Sequence, residues 1–149
     1  MRTSAVGSSH PRGFTLLELL VVVSIIAIAS AGVSFALRDS AATQLEREAQ
    51  RLAALLESAR TQSRTSGQPV RWLATEAGFR FDGTPQGALP GRWLEQTTQV
   101  RGNAMLLLGP EPIIGRQGVE LVSSALPGRS LRVATDGLRP FMVTAGDAP

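Results

Sequence analysis

The stretch RGFTLLELLVVVSIIAIAS, residues 12–30, decides how this chain is organised. It opens an apolar segment that continues to Leu37, and no residue from Leu19 to Leu37 carries a formal charge. A helix rises about 1.5 Å per residue, so the 24 residues from 14 to 37 can cross a hydrocarbon core of roughly 30 Å. The sequence therefore predicts a membrane-spanning helix over residues 14–37.

Positive charge precedes this segment. Arg2 and Arg12 lie before it, whereas Arg38 just after it is offset by Asp39. The positive-inside rule then predicts a cytoplasmic amino terminus and places the rest of the chain across the membrane. A plain signal anchor is one alternative. A cleaved secretory signal peptide is a poorer one, because its apolar region would be only about 7 to 15 residues long.

The composition excludes several kinds of catalysis. All fifteen basic residues are arginine, lysine and cysteine are absent, and the single histidine, His10, precedes the apolar segment. A Schiff-base lysine, a thiolate nucleophile and a Cys/His zinc site therefore lack their side chains. A Ser-His-Asp triad would need His10, on the wrong side of the membrane segment. We expect a protein with no catalytic residues, no metal and no cofactor.

After the membrane segment, one apolar stripe continues at helical spacing. Its members are Leu45, Ala49, Leu52, Leu56 and Ala59. This spacing predicts an amphipathic extension of the same helix over residues 38–66. Gly67 suits the position just after a helix end, and Pro69 cannot continue the helix.

The charged residues of this helix extension are predicted to lie on one solvated face. They include Glu46, Arg47, Glu48, Arg51, Glu57, Arg60 and Arg64. Glutamates three residues before arginines favour ion pairs along a helix surface. We therefore expect a solvated, partly paired face on the side opposite the apolar stripe.

Residues 67–149 change to a period of two, which predicts a β-rich head. The predicted strands cover 70–75, 78–82, 91–95, 104–108, 119–123, 130–135 and 141–145, with exposed loops at 83–91 and 109–118. Asp136 and Gly137 predict a turn, while Trp72 and Trp93 are expected in the core or at a sheet edge. These short strands cannot bury a sizeable core by themselves, so we expect the helix to complete it. The predicted fold is α+β: a long amino-terminal helix packed on a small antiparallel β-sandwich-like head.

Glu18 is the one charged residue within the apolar segment. A carboxylate at a membrane helix centre costs on the order of 2.5 to 3.5 kcal/mol, and less near the interface. Either Glu18 is shallow enough to reach water, or it meets a positive charge inside an assembly. A short polar leader ending in Gly13 precedes it, and Phe14 follows that glycine.

Together these residues resemble the class III signal of type IV pilins and type II secretion pseudopilins. The resemblance implies that residues 1–13 are a leader, removed by a prepilin peptidase that cuts after Gly13 on the cytoplasmic face. It implies that the new amino terminus, Phe14, is methylated. The new amine could be neutralised by Glu18 of a neighbouring subunit, which avoids an uncompensated buried charge.

Three stretches of the rest of the chain resemble the H-type minor pseudopilins of type II secretion. They are RLAALLESARTQSRTSGQPVRW (51–72), GPEPIIGRQGVEL (109–121) and LRVATDGLRPFMVTA (131–145). The resemblance implies a non-enzymatic structural subunit at or near the tip of a short periplasmic pseudopilus, which helps to export folded proteins across the outer membrane. It implies a single-pass protein of the bacterial inner membrane, with its head in the periplasm.

The implied partners are the other minor pseudopilins, the major pseudopilin, the prepilin peptidase, the inner-membrane assembly platform and secreted substrate. A type IV minor pilin, acting in pilus biogenesis or binding DNA through arginines of the head, is the alternative. The formal charge of +3 falls to +1 without the two arginines of residues 1–13. Because acids are mixed evenly among the remaining arginines, the sequence does not favour a nucleic-acid partner.

Overall fold

The computed structural model describes residues 14–102 and 105–146. The chain divides into two compact units, Met1–Ala36 and Leu37–Pro149. Helix α1 (Leu16–Ser66) supplies residues to both units. It ends where the sequence predicts, since Gly67 adopts a φ of 68°, a left-handed conformation that favours glycine at a helix end.

In the amino-terminal unit, the large apolar side chains of α1 are exposed. Phe14 is 73% exposed and Leu16 is 80% exposed. The same holds at the further large apolar positions Leu17, Leu19, Leu20, Val21, Val22, Val23, Ile25, Ile26, Ile28 and Val33. Within the described residues, α1 is the one helix long and apolar enough to cross a membrane.

In the second unit, α1 carries the apolar stripe that the sequence predicts. Leu45, Ala49, Leu52, Leu56 and Ala59 are all buried. They pack against residues of both sheets in one hydrophobic core. The helix therefore completes the core, because burying this stripe removes apolar surface from water that the short strands could not cover alone.

The head contains two antiparallel sheets. Sheet A has the order β2-β1-β4, from β1 (Arg71–Thr75), β2 (Gly78–Asp82) and β4 (Met105–Leu107). Sheet B has the order β3-β5-β6-β7, from β3 (Thr98–Arg101), β5 (Gln117–Ser123), β6 (Ser130–Thr135) and β7 (Met142–Ala145). The predicted α+β class is confirmed.

Alternating residues of the strands face the core. From sheet A these are Trp72, Phe79 and Leu106, and from sheet B they are Val119, Leu121, Leu131 and Val133. Trp93 is half-buried against Phe79, with ring centroids 4.6 Å apart. Both tryptophans therefore pack in or beside the core, as predicted.

The strand predicted at 91–95 is wrong. Its backbone is used elsewhere: the Gly91 carbonyl oxygen accepts the Phe79 N–H at 2.9 Å, and the Leu94 N–H donates to Glu48 Oε2 at 2.7 Å. A Cβ at Gly91 would lie 2.6 Å from the Phe79 carbonyl oxygen, so only glycine fits this close approach. The third strand of the chain is instead β3. The other predicted strands occur with small shifts of their ends.

Candidate assembly site

The start of α1 fixes the position of Glu18. Thr15 precedes the first helical residue, and its Oγ1 accepts the Glu18 N–H at 3.2 Å. This is the hydrogen bond of an N-cap, with glutamate at the third helical position as in a capping box. Glu18 therefore lies in the first turn, where the helix dipole favours a negative charge.

The predicted processing and assembly residues are only partly described. Phe14 lies two residues before α1 and Glu18 lies in the first turn of the helix, and both are exposed. Gly13 lies outside the described residues. Among the described residues, no ion pair involves the Glu18 carboxylate. What the geometry offers is an acidic side chain at the beginning of a helix surface that is otherwise apolar.

In the head, the prediction of one solvated charged face on α1 is wrong for Glu48 and Arg60. Glu48 is 1% exposed and Arg60 is 2% exposed. The reason is that the loops between the strands fold over this side of the helix and bring backbone groups that need partners. The buried charges satisfy those groups.

Arg60 binds the carbonyl oxygens of two loops. Its Nη2 donates to Gly137 at 2.8 Å and to Pro112 at 3.2 Å, and its Nη1 donates to Arg139 at 3.4 Å. Glu57 Oε1 lies 3.6 Å from Nη1. The set formed by Arg60 and these three carbonyl groups, here named the Arg60 clamp, joins the loop before β5 to the loop before β7. The guanidinium suits this task because its donors point in fixed directions within one plane.

Two glutamates of α1 perform the opposite task by accepting backbone N–H groups. Glu48 accepts the Leu94 N–H and also pairs with Arg51 Nη1 at 2.9 Å. Glu57 Oε1 accepts the Phe141 N–H at 2.9 Å. One glutamate therefore holds the segment before β3, and the other holds the residue before β7. The sequence carried a hint of this arrangement, because Gly- and Pro-rich loops bring backbone groups with no partner in a sheet.

The outer face of sheet B carries a cross-strand ion pair. Arg101 on β3 and Glu120 on β5 are register partners, and Arg101 Nε lies 3.1 Å from Glu120 Oε2. The hydrogen bond from Arg101, with a second from Ser130, lowers the pKa of Glu120 to about 2. The partly exposed pair fixes the register of an edge strand and adds little stability by itself.

The described residues offer no metal centre: residues 14–102 and 105–146 contain no group of three or more His, Asp or Glu side chains placed to hold an ion. Within the same residues, arginines pair with acids at five positions. These are Arg51–Glu48, Arg60–Glu57, Arg80–Asp82, Arg101–Glu120 and Arg139–Asp136. Such pairing lowers the positive potential that a phosphate backbone would need.

Comparison with known proteins places these features in a family. Residues 8–34 match the prokaryotic N-terminal methylation motif, and residues 48–145, more than half of the chain, match type II transport protein GspH. Type II secretion system protein H of Escherichia coli (strain K12) is 36% identical over 87 residues, which are 57% of this chain and 50% of that protein. No solved structure is significantly similar to the chain. The resemblance seen in the sequence is confirmed, and the chain belongs to the type II transport protein GspH family.

Proposed function

We propose that this chain is a minor pseudopilin, a non-enzymatic subunit that packs into the periplasmic pseudopilus of a type II secretion apparatus. The observation that carries this proposal is the apolar surface formed by Phe14 and by α1 from Leu16 to Val33, which is exposed throughout and has Glu18 near its start. A surface of this kind needs lipid or other helices around it, since exposed apolar area in water is unfavourable. The match to the methylation motif over residues 8–34 supports the same role.

The match to the methylation motif over residues 8–34 supports the proposed processing. A prepilin peptidase cuts after Gly13 on the cytoplasmic face, and Phe14 becomes the methylated amino terminus. The new amine carries a positive charge at the end of an apolar helix, where an unpaired charge is costly. The Glu18 carboxylate of a neighbouring subunit can neutralise that amine as the helices leave the lipid, which sets the axial register between them.

The proposed location is the bacterial inner membrane, crossed once, with the amino terminus in the cytoplasm and the head in the periplasm. The length of the apolar segment supports a single crossing, and the placement of Arg2 and Arg12 before it supports this orientation. The matched relative is named as a type II secretion system protein, and the chain spans half its length. By that likeness we propose that the head contacts other minor pseudopilins, the major pseudopilin and the inner-membrane assembly platform at or near the tip.

Mutation of the processing and assembly residues tests this function in cells that carry the secretion apparatus. We expect Gly13→Ala to leave the chain at its full mass, because the peptidase no longer cuts. We expect Glu18→Ala to be cut normally but to be absent from sheared pseudopili. Glu46→Ala is the matched control, since Glu46 is an exposed glutamate on the same helix. Normal incorporation of the Glu18→Ala chain, or equal loss with Glu46→Ala, would contradict the proposal.

A DNA-binding minor pilin finds less support. It would need arginines free to contact phosphates along one surface. In the described residues Arg60 is buried in its clamp, and Arg51, Arg80, Arg101 and Arg139 lie near carboxylates. The exposed surface therefore mixes charges of both signs, which suits contact with proteins better than contact with a polyanion.

A further inference from the structure

Each edge strand of sheet A has at least one outward backbone group that is capped by a hydrogen bond. On edge strand β2, the Phe79 N–H donates to the Gly91 carbonyl oxygen at 2.9 Å. On edge strand β4, the side-chain amide of Gln117 binds both outward-facing backbone groups of Leu107: Oε1 accepts the N–H, and Nε2 donates to the carbonyl oxygen. Proteins commonly cover sheet edges in such ways, because unpaired edges recruit strands from other chains.

The β7 edge of sheet B lies alongside α1. Phe141, just before β7, donates its N–H to Glu57 Oε1. About three turns earlier on the same helix, Glu46 lines a cavity of about 310 Å³ together with residues 143–146. An α1 carboxylate therefore binds the residue before β7, and an open cavity lies beside the other end of the strand.

The β3 edge also carries backbone groups that face away from its sheet. The Ser124 N–H donates to the Thr97 carbonyl oxygen at 3.0 Å, which sets the alternation of the ladder between β3 and β5. Every second residue of β3, namely Thr98 and Val100, therefore turns its backbone groups away from β5. The Thr98 N–H donates to the Glu95 carbonyl oxygen at 3.1 Å. Among the described residues, the Thr98 carbonyl and both backbone groups of Val100 have no partner. Thr98 is buried and Val100 is half-buried, so the more accessible of these groups are those of Val100.

A cleft runs beside this edge. A cavity of about 530 Å³ is lined by residues 74–76 at the end of β1, by residues 98–100 of β3 and by Trp93. An adjoining cavity of about 370 Å³ shares Trp93 and part of β3, and it adds Leu94, which is 61% exposed. Backbone hydrogen-bonding groups therefore line one wall of the cleft, and Trp93, Leu94 and the charged Glu76 line another.

We propose that this β3 cleft binds an extended segment of another polypeptide, which adds a strand to the edge of β3. An N–H and two carbonyl groups at strand spacing are complementary to an extended backbone, whose own groups alternate in the same way. Side chains of an added strand alternate between its two faces. We therefore expect a segment with apolar residues at every second position, facing Trp93. Strand addition here requires neither the apolar helix nor its processing, so it goes beyond the proposed function and can fail independently of it.

The test uses the full chain in detergent micelles and a capped synthetic peptide, Ser-Thr-Val-Thr-Val-Thr-Val-Ser. We expect the peptide to slow hydrogen exchange of the Val100 N–H at least tenfold, measured by NMR. The same peptide methylated at every backbone nitrogen cannot pair and should give no protection. Val100→Pro should weaken binding at least tenfold, because it removes an outward N–H without removing a ladder bond. Val143→Pro makes the same change on β7 and should bind like the unmodified chain.

Three results would overturn strand addition at β3. The first is unchanged exchange at Val100 with millimolar peptide. The second is equal binding of the methylated and unmethylated peptides, a comparison that holds even where the Val100→Pro chain does not fold. The third is pairing of β3 between two copies of this chain that the peptide does not displace, which would make a second copy the occupant.

Discussion

Replacement of Arg60 by methionine would separate the buried clamp from ordinary surface charge. Arg60→Met keeps an unbranched, mostly apolar side chain of similar length and removes the guanidinium. The matched control is Arg64→Met, one helical turn later. Arg64 Nη2 donates to the same Pro112 carbonyl oxygen at 3.1 Å, but Arg64 is exposed. The two changes therefore remove the same chemical group from a buried and from an exposed setting.

The expected cost follows from which carbonyl groups lose their partners. Without Arg60, the Pro112 carbonyl keeps Arg64, and the Arg139 carbonyl keeps the Thr135 hydroxyl at 2.6 Å. In the described part of the chain, only the buried Gly137 carbonyl is left without a donor. A lost hydrogen bond to a charged group costs about 1.5 to 3 kcal/mol. The substitution also removes the buried Arg60 Nε, which has no hydrogen-bond partner. Because an unpaired buried donor is unfavourable, its removal offsets part of any further loss of stability.

We therefore expect Arg60→Met to lower the free energy of unfolding by about 2 kcal/mol, and Arg64→Met by less than about 0.5 kcal/mol. At roughly 4 °C per kcal/mol, this is a Tm drop of about 8 °C against about 2 °C. The assay is thermal unfolding of the full chain in detergent, followed by tryptophan fluorescence. Both tryptophans lie in the head, so the signal reports on that unit. Equal Tm values for the two variants would refute the assignment of Arg60 as the buried clamp.

Two further changes test the sheets. Since the folded-state pKa of Glu120 is about 2, below its ordinary value of 4.5, its ion pair stabilises the protein above pH 4.5, and this contribution is lost as the pH falls towards 2. The stability difference between the original chain and Glu120→Gln should shrink over that range in urea titrations, and a difference independent of pH would contradict the pKa. Gln117→Ala should lower the free energy of unfolding by about 1 kcal/mol and increase light scattering on storage, because it uncovers the β4 edge. Gln99→Ala changes an exposed β3 side chain and should have neither effect. Unchanged scattering with Gln117→Ala would show that the β4 edge needs no cap.

The parts of the fold that depend on periodicity could be predicted from the sequence. The stripe from Leu45 to Ala59 repeats every three or four residues, and its burial follows directly from helix geometry. In the β1–β2 hairpin, Trp72, Phe79 and Phe81 follow a period of two, and the position of the hairpin was predicted within one residue. The segment 91–95 misled because Trp93 and Leu94 favour a strand locally. Gly91 instead runs beside β2, and Leu94 binds a helix carboxylate, contacts that no local pattern encodes.

The buried charges show a different limit of sequence reading. Glu48 pairs with Arg51, and Glu57 pairs with Arg60, each at a spacing of i, i+3. Exposed ion pairs on a solvated helix have the same spacing. What buries them is the path of loops distant in the chain: Arg60 reaches carbonyl groups 52 to 79 residues away. A pattern of charges on a helix gives the spacing between its own residues, but it does not tell which face a later loop will cover.

Under the proposed function, the two units have different roles in assembly: the amino-terminal helix holds subunits together, and the head selects among them. Apolar burial is non-directional, so the exposed surface from Phe14 to Val33 can hold helices together without selecting a neighbour. The pairing of Glu18 with an amine sets register, but any subunit with the same amino terminus would offer that amine. Discrimination among pseudopilins therefore has to come from the head. There, hydrogen bonds at defined positions, such as those open along β3, distinguish one partner from another, because a mismatched partner leaves polar groups unpaired.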